Sequence, residues 1–107
     1  MLLGKPVIAT AYSGNMDFMT NETALLVPWE YVEVGNDAEG YPSDALWAEP
    51  DLTVASSMMR NLFQDREFGL ALGARAKRDL QSRFSPEVTG ERMKNRLESI
   101  WRKRNGK

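Results

Sequence analysis

An α/β fold, with short parallel strands followed by three helices, is what the 107-residue sequence predicts, and three observations carry that expectation. Pro6 to Thr10 is a short, largely β-branched run between Gly4-Lys5 and Ser13-Gly14-Asn15, the pattern of a strand buried on both faces of a parallel sheet. A second apolar run, Ala24-Leu25-Leu26-Val27, follows after a connection of about the length of a minimal parallel crossover, which would be right-handed. Beyond Asp51, apolar residues recur at helical rather than alternating spacing.

Met1-Leu2-Leu3 reads as the last turn of a helix closed by Gly4 in a left-handed cap, with Pro6 two residues on. The chain is therefore expected to start inside an element. After the first strand, Ser13 or Asn15 is placed to cap a short helix reaching Phe18 or Met19, and Asn21-Glu22-Thr23 forms a polar turn into the second strand. Trp29 to Val34 alternates in part, Tyr31 and Glu33 on one face and Val32 and Val34 on the other, which predicts a short edge strand. Gly35 to Leu46 reads as a surface excursion pinned by Tyr41-Pro42 and Trp47.

Pro50-Asp51 is expected to open the first long helix, with Glu49 serving its start and Leu52, Ala55, Met59, Leu62 and Phe63 as its buried face. Asp65 caps a second helix in which Phe68, Leu72, Ala76, Leu80 and Phe84 form one four-residue row. Gly69 and Gly73, assigned to the opposite side, each lower helix propensity by about 1 kcal/mol, which close approach to a neighbouring element would explain. Ser85-Pro86 begins the third helix, carrying Val88, Met93, Leu97, Ile100 and Trp101. The tail Arg102 to Lys107 is expected to fray.

Length bounds the chain to one domain or part of one, residues 1–107, divided into a strand and loop part (1–51) and a helical part (52–107). Residues 1–51 hold only Lys5 against nine carboxylates, whereas 52–107 hold thirteen basic residues against six acidic ones, giving −8 and +7. Solvated helix faces account for the basic half more simply than a dedicated basic surface. With no Cys and no His, thiol nucleophiles, imidazole bases and the commonest zinc ligands are excluded. Ala9-Thr10-Ala11 resembles a signal-peptidase site, but Lys5 and Pro6 interrupt the segment before it, and no run approaches the ~20 apolar residues of a membrane span.

No catalytic set is present: Ser13 lacks a His base, and no Walker loop, nucleophile elbow or Rossmann glycine fingerprint occurs. Asp17 and Glu22 read as turn or cap carboxylates, and no metal site is expected. The loop Ser13-Gly14-Asn15 is the best site candidate on physical grounds, since open α/β sheets bind ligands outside the carboxyl ends of their strands.

The segments Gly4-Lys5-Pro6-Val7-Ile8-Ala9-Thr10, Ser13-Gly14-Asn15, Asp17-Phe18-Met19-Thr20 and Trp47-Ala48-Glu49-Pro50-Asp51 carry a resemblance. Together they resemble the C-terminal part of a family 4 (group 1) glycosyltransferase of GT-B fold, the second and fourth pointing to one bacterial branch. The likeness extends to Phe84-Ser85-Pro86 and the last helix. It implies a partial Rossmann-like fragment of the nucleotide-sugar-binding domain. The activity implied is retaining transfer of a sugar from a nucleotide diphosphosugar to an acceptor glycan or other hydroxyl, without a cofactor or essential metal. By the same match Thr10, Ser13, Gly14 and Asn15 would face the donor cleft.

In glycosyltransferases of this kind two glutamates, separated by seven residues, hold the donor immediately before the Gly-Lys-Pro-Val-Ile strand. Here that position lies ahead of Met1, so the chain alone is expected to be inactive. The implied partner is the N-terminal GT-B domain of a parent protein, on which the last helix would pack through Met93, Leu97, Ile100 and Trp101. Self-association of the isolated chain is a further expectation, and the implied location is cytoplasmic or peripheral at the inner membrane surface. The alternative class is a small non-enzymatic interaction domain whose basic helices bind nucleic acid or an anionic membrane surface, although no specific nucleic-acid recognition motif is present.

Overall fold

The computed structural model describes residues 1–36 and 38–106, which form a mixed α/β architecture with two small sheets. In chain order the elements are β1 (Ile8–Thr10), a 3-10 turn (Ser13–Asp17), β2 (Leu25–Val27), β3 (Trp29–Glu33), β4 (Leu46–Pro50), α1 (Leu52–Gln64), α2 (Arg66–Phe84) and α3 (Pro86–Asn105). β1 and β2 pair in parallel, Ile8 opposite Leu25 and Thr10 opposite Val27, as the two apolar runs predict. No helix among the described residues is long and apolar enough to cross a membrane.

The core consists of Ala24, Val27, Leu72, Ala76 and Leu80, with α1 packed on both strands of the parallel pair and on α2. Leu72, Ala76 and Leu80 belong to the four-residue row expected of α2, so the helical period identified its inner face. Thr23, also buried, satisfies its hydroxyl by accepting from the Thr20 N–H at 3.0 Å. At the N-terminus the Gly4 N–H donates to the Met1 oxygen at 2.9 Å and Gly4 has φ +71°, a turn that requires the left-handed region.

Several expectations are corrected by the tertiary pairing. β3 is a short edge strand, as expected, and pairs antiparallel with β4 in a separate two-stranded hairpin, Trp29 opposite Pro50 and Glu33 opposite Leu46. Trp47 and Glu49 therefore belong to a strand, Pro50 ends it, and Asp51 is the cap of α1, its carboxylate accepting from the Val54 N–H at 2.9 Å. Tyr41 does not pin the 35–46 excursion: it is exposed, as is Trp47. The 3-10 turn has Tyr12 at its cap position with no side-chain hydrogen bond, in place of Ser13 or Asn15.

The apolar face assigned to α1 is likewise rotated. Leu52, Met59 and Phe63 are exposed, Phe63 at 88%, while Val54, Ala55, Met58 and Leu62 are the half-buried positions. Gly69 and Gly73 are buried with Leu72 and Ala76 rather than lying opposite them. Close approach is the reason: Leu62 of α1 fills the space beside Gly69, and the Gly4 carbonyl occupies the space a side chain at residue 73 would need. α3 remains helical to Asn105 instead of fraying from Arg102, while Lys107, and Asp37 of the excursion, fall outside the described residues.

The fold is extended for its length. Its radius of gyration is 19.2 Å, against about 13 Å for a compact domain of this size. α3 is the main reason, since it packs on α2 near Val88 and leaves Met93, Leu97, Ile100 and Trp101 exposed.

Candidate functional site

β1 ends at Thr10, and the chain then turns sharply within hydrogen-bonding reach of β2. The Ala11 N–H donates to the Val27 oxygen at 2.9 Å, extending the parallel ladder by one bond, and the Tyr12 N–H donates back to the Thr10 oxygen at 2.8 Å. Ser13 then adopts φ +66°, a left-handed backbone that costs a non-glycine residue about 1–2 kcal/mol. Such strain is held only where surrounding contacts over-determine it. Here the contacts are the Asn15 side chain, whose Nδ2 donates to the Thr10 oxygen at 2.9 Å, and the Met19 N–H, which donates to the Asn15 oxygen at 2.8 Å.

Thr10, Ser13, Gly14 and Asn15 are thus gathered at the carboxyl end of the parallel pair. Ser13 and Gly14 are exposed there, while Thr10 and Asn15 are half-buried. The Asn15 amide nitrogen donates to the Thr10 oxygen at 2.9 Å and to the Met19 sulfur at 3.6 Å, so both its N–H groups are engaged within the loop and only its side-chain oxygen is left to accept. The loop is braced from behind by α2: the Arg83 guanidinium donates to the Phe18 oxygen at 3.0 Å, and the Arg75 Nε donates to the Glu22 oxygen at 3.1 Å.

An aromatic group that sequence reasoning missed flanks this loop. The Trp29 indole N–H donates to the Ala11 oxygen, and the Tyr12 ring meets Trp29 edge-on with centroids 4.7 Å apart. Tyr31 closes the group, 4.8 Å from Trp29 and 6.1 Å from Tyr12, both edge-on. Hydrogen bonding with Tyr12 pushes the Tyr31 hydroxyl above the ordinary phenol range. The signal was present as two aromatics of matching parity at 29 and 31, but Tyr12 joins them only because β1 and β2 pair in this register.

Beside Trp29, at the root of the β3–β4 hairpin, is an open cleft of about 240 Å³ lined by Pro28, Trp29, Glu30, Glu49, Pro50 and Asp51. Among the described residues, no group of three carboxylates stands close enough to hold a metal ion.

The basic residues of the helical half are partly engaged within the fold. Arg83 pairs with Asp79, its Nε 2.9 Å from the carboxylate, and holds that carboxyl below the usual range. Arg83 and Arg92 both lie over the Phe84 ring, at 4.9 and 5.5 Å, and Arg102 pairs with Glu98 at 3.5 Å. Together with Arg75 these contacts reduce the cationic surface that the charge count alone suggests. No family model, no curated protein and no solved structure matches the chain.

Proposed function

We propose that this chain is the C-terminal portion of the Rossmann-like, nucleotide-sugar-binding domain of a retaining family 4 glycosyltransferase. In the reaction so assigned, the bond from the donor sugar to the nucleoside diphosphate breaks and a bond to an acceptor hydroxyl forms. The hydroxyl proton leaves with the products. One observation carries the reading: Thr10 and the Ser13-Gly14-Asn15 segment of the resemblance lie at the carboxyl end of a parallel strand pair, the place where open α/β sheets receive ligands. Exposed Ser13 and Gly14 would line the donor side of the cleft.

The extended shape supports the partner assigned with it. Leu97, Ile100 and Trp101 of α3 line an open apolar groove of about 440 Å³, and an N-terminal GT-B domain is the surface proposed to cover it. The chain by itself is proposed to be inactive, and its location cytoplasmic or peripheral at the inner membrane surface.

Amide NMR of the 107-residue chain, titrated with UDP-glucose and GDP-mannose, tests the reading. The expected result is saturable shifts at Thr10, Ser13, Gly14 and Asn15 without turnover. Shifts confined to α2 and α3, reproduced by generic DNA and abolished steeply by salt, would replace it with the basic interaction domain.

A further inference from the structure

The stripe left bare on α3 has the spacing of a helix–helix seam. Met93, Leu97 and Ile100 follow one another at intervals of four and three residues, and Trp101 lies beside Ile100. All four are exposed, Met93 at 62% and Trp101 at 66%. Gly90 continues the stripe toward α2 without a side chain, in open space, and Arg104 ends it.

The rest of the fold packs on the other side of the helix. Val88 and Ser99 are the half-buried positions of α3, and Val88 stands about two and a half turns from Leu97, on the opposite face. Arg92, which lies over the Phe84 ring, belongs to that same far side. A partner helix lying along the stripe therefore faces away from α2.

The charges beside the stripe select the partner. At about 3.6 residues per turn, Glu87, Glu91 and Glu98, with Lys94 among them, fall on one flank, and Arg96 and Lys103 on the other. An anionic membrane would meet both flanks at once, and the glutamates would oppose it. A second α3 running parallel about a two-fold axis sets the acidic flank of each copy against the basic flank of the other, and brings Arg96 toward the Trp101 ring of the second copy. An antiparallel pair would instead set like flank against like.

We propose that α3 is a homodimerisation helix, pairing in parallel with α3 of a second copy through Met93, Leu97, Ile100 and Trp101. Four side chains per copy fall short of the ~20–30 residues a side of a standard interface, so the dimer is weak, with Kd on the order of 10–100 μM. The pairing does not rest on the glycosyltransferase reading; the N-terminal domain assigned above would compete with it for the same stripe.

Sedimentation equilibrium of the whole chain tests this, with circular dichroism to show that each variant keeps its helices. Expected is a monomer–dimer equilibrium that L97E weakens by about tenfold or more, while F63E, at an exposed apolar residue of α1, leaves it unchanged. Orientation is read by disulfide formation, since the chain has no cysteine of its own. G90C and R104C should each cross-link to itself, because parallel copies bring equal positions of the seam together. A chain still monomeric at about 1 mM would overturn the proposal. So would a dimer that F63E dissolves and L97E spares, or cross-linking only when G90C and R104C are mixed. A monomeric chain that cosediments with phosphatidylglycerol vesicles, a binding lost in L97E, would give the stripe to a membrane instead.

Discussion

Gly73 of α2 packs directly against the backbone carbonyl of Gly4, whose carbon lies 2.7 Å from where a Cβ on residue 73 would be. The turn before β1 and the second helix are therefore in backbone contact, and neither can shift without the other. G73A is expected to lower stability by about 1–3 kcal/mol or more, because the obstruction is main chain and cannot move aside. G90A, in an open stretch of α3, should instead stabilise by about 0.5–1 kcal/mol. Urea melts of the two variants decide the point, and equal effects would contradict it.

Asp65 ends α1 and caps α2, its carboxylate accepting from the Phe68 N–H at 2.9 Å. D65A should cost about 1 kcal/mol, read as a lower denaturation midpoint with unchanged slope.

Ser13 holds its left-handed backbone only against strain. S13V, which adds β-branching at positive φ, is expected to lose about 1–2 kcal/mol, whereas S13G should lose none or gain slightly. Equal melting temperatures for the two variants would remove strain from the account of the loop.

Arg83 depresses the Asp79 carboxyl chiefly through its hydrogen bond. A lowered folded-state pKa means that this contribution to stability is fully present above the ordinary Asp value of about 3.9 and is lost as pH falls through the folded value. Glu87, lowered by hydrogen bonds at the start of α3, acts in the same sense. Melting temperature should therefore fall below about pH 4, and R83Q should flatten the part of that fall due to Asp79. An unchanged profile in R83Q would show that Asp79 titrates the same way folded and unfolded.

The open groove on α3 predicts concentration-dependent association of the isolated chain. L97E and W101E should each shift sedimentation toward monomer, and a wild-type chain that stays monomeric at every concentration tested would count against an unpartnered face.

Local patterns were sufficient for much of the secondary structure. The runs Pro6–Thr10 and Ala24–Val27, the caps Asp65 and Ser85 and the α2 row through Leu72, Ala76 and Leu80 all depend on neighbours within a few residues, where steric and hydrogen-bonding preferences act. The loop at Thr10 to Asn15 was legible for the same reason: small residues after a short apolar strand mark its carboxyl end, although β1 is half-buried rather than buried on both faces. Whether those residues bind a ligand is not a local property.

What tertiary structure alone decided depends on chain segments far apart in sequence. The pairing of Trp29–Glu33 with Leu46–Pro50, the meeting of Tyr12 with Trp29, and the approach of Gly4 to Gly73 each close a loop that no sequence window contains. The exposed faces of α1 and α3 teach the complementary lesson: helical periodicity in Leu52, Met59 and Phe63, or in Leu97, Ile100 and Trp101, identifies a side that gains by burial. Burial itself requires a surface to pack against, and only the placement of the other elements determines whether one is there.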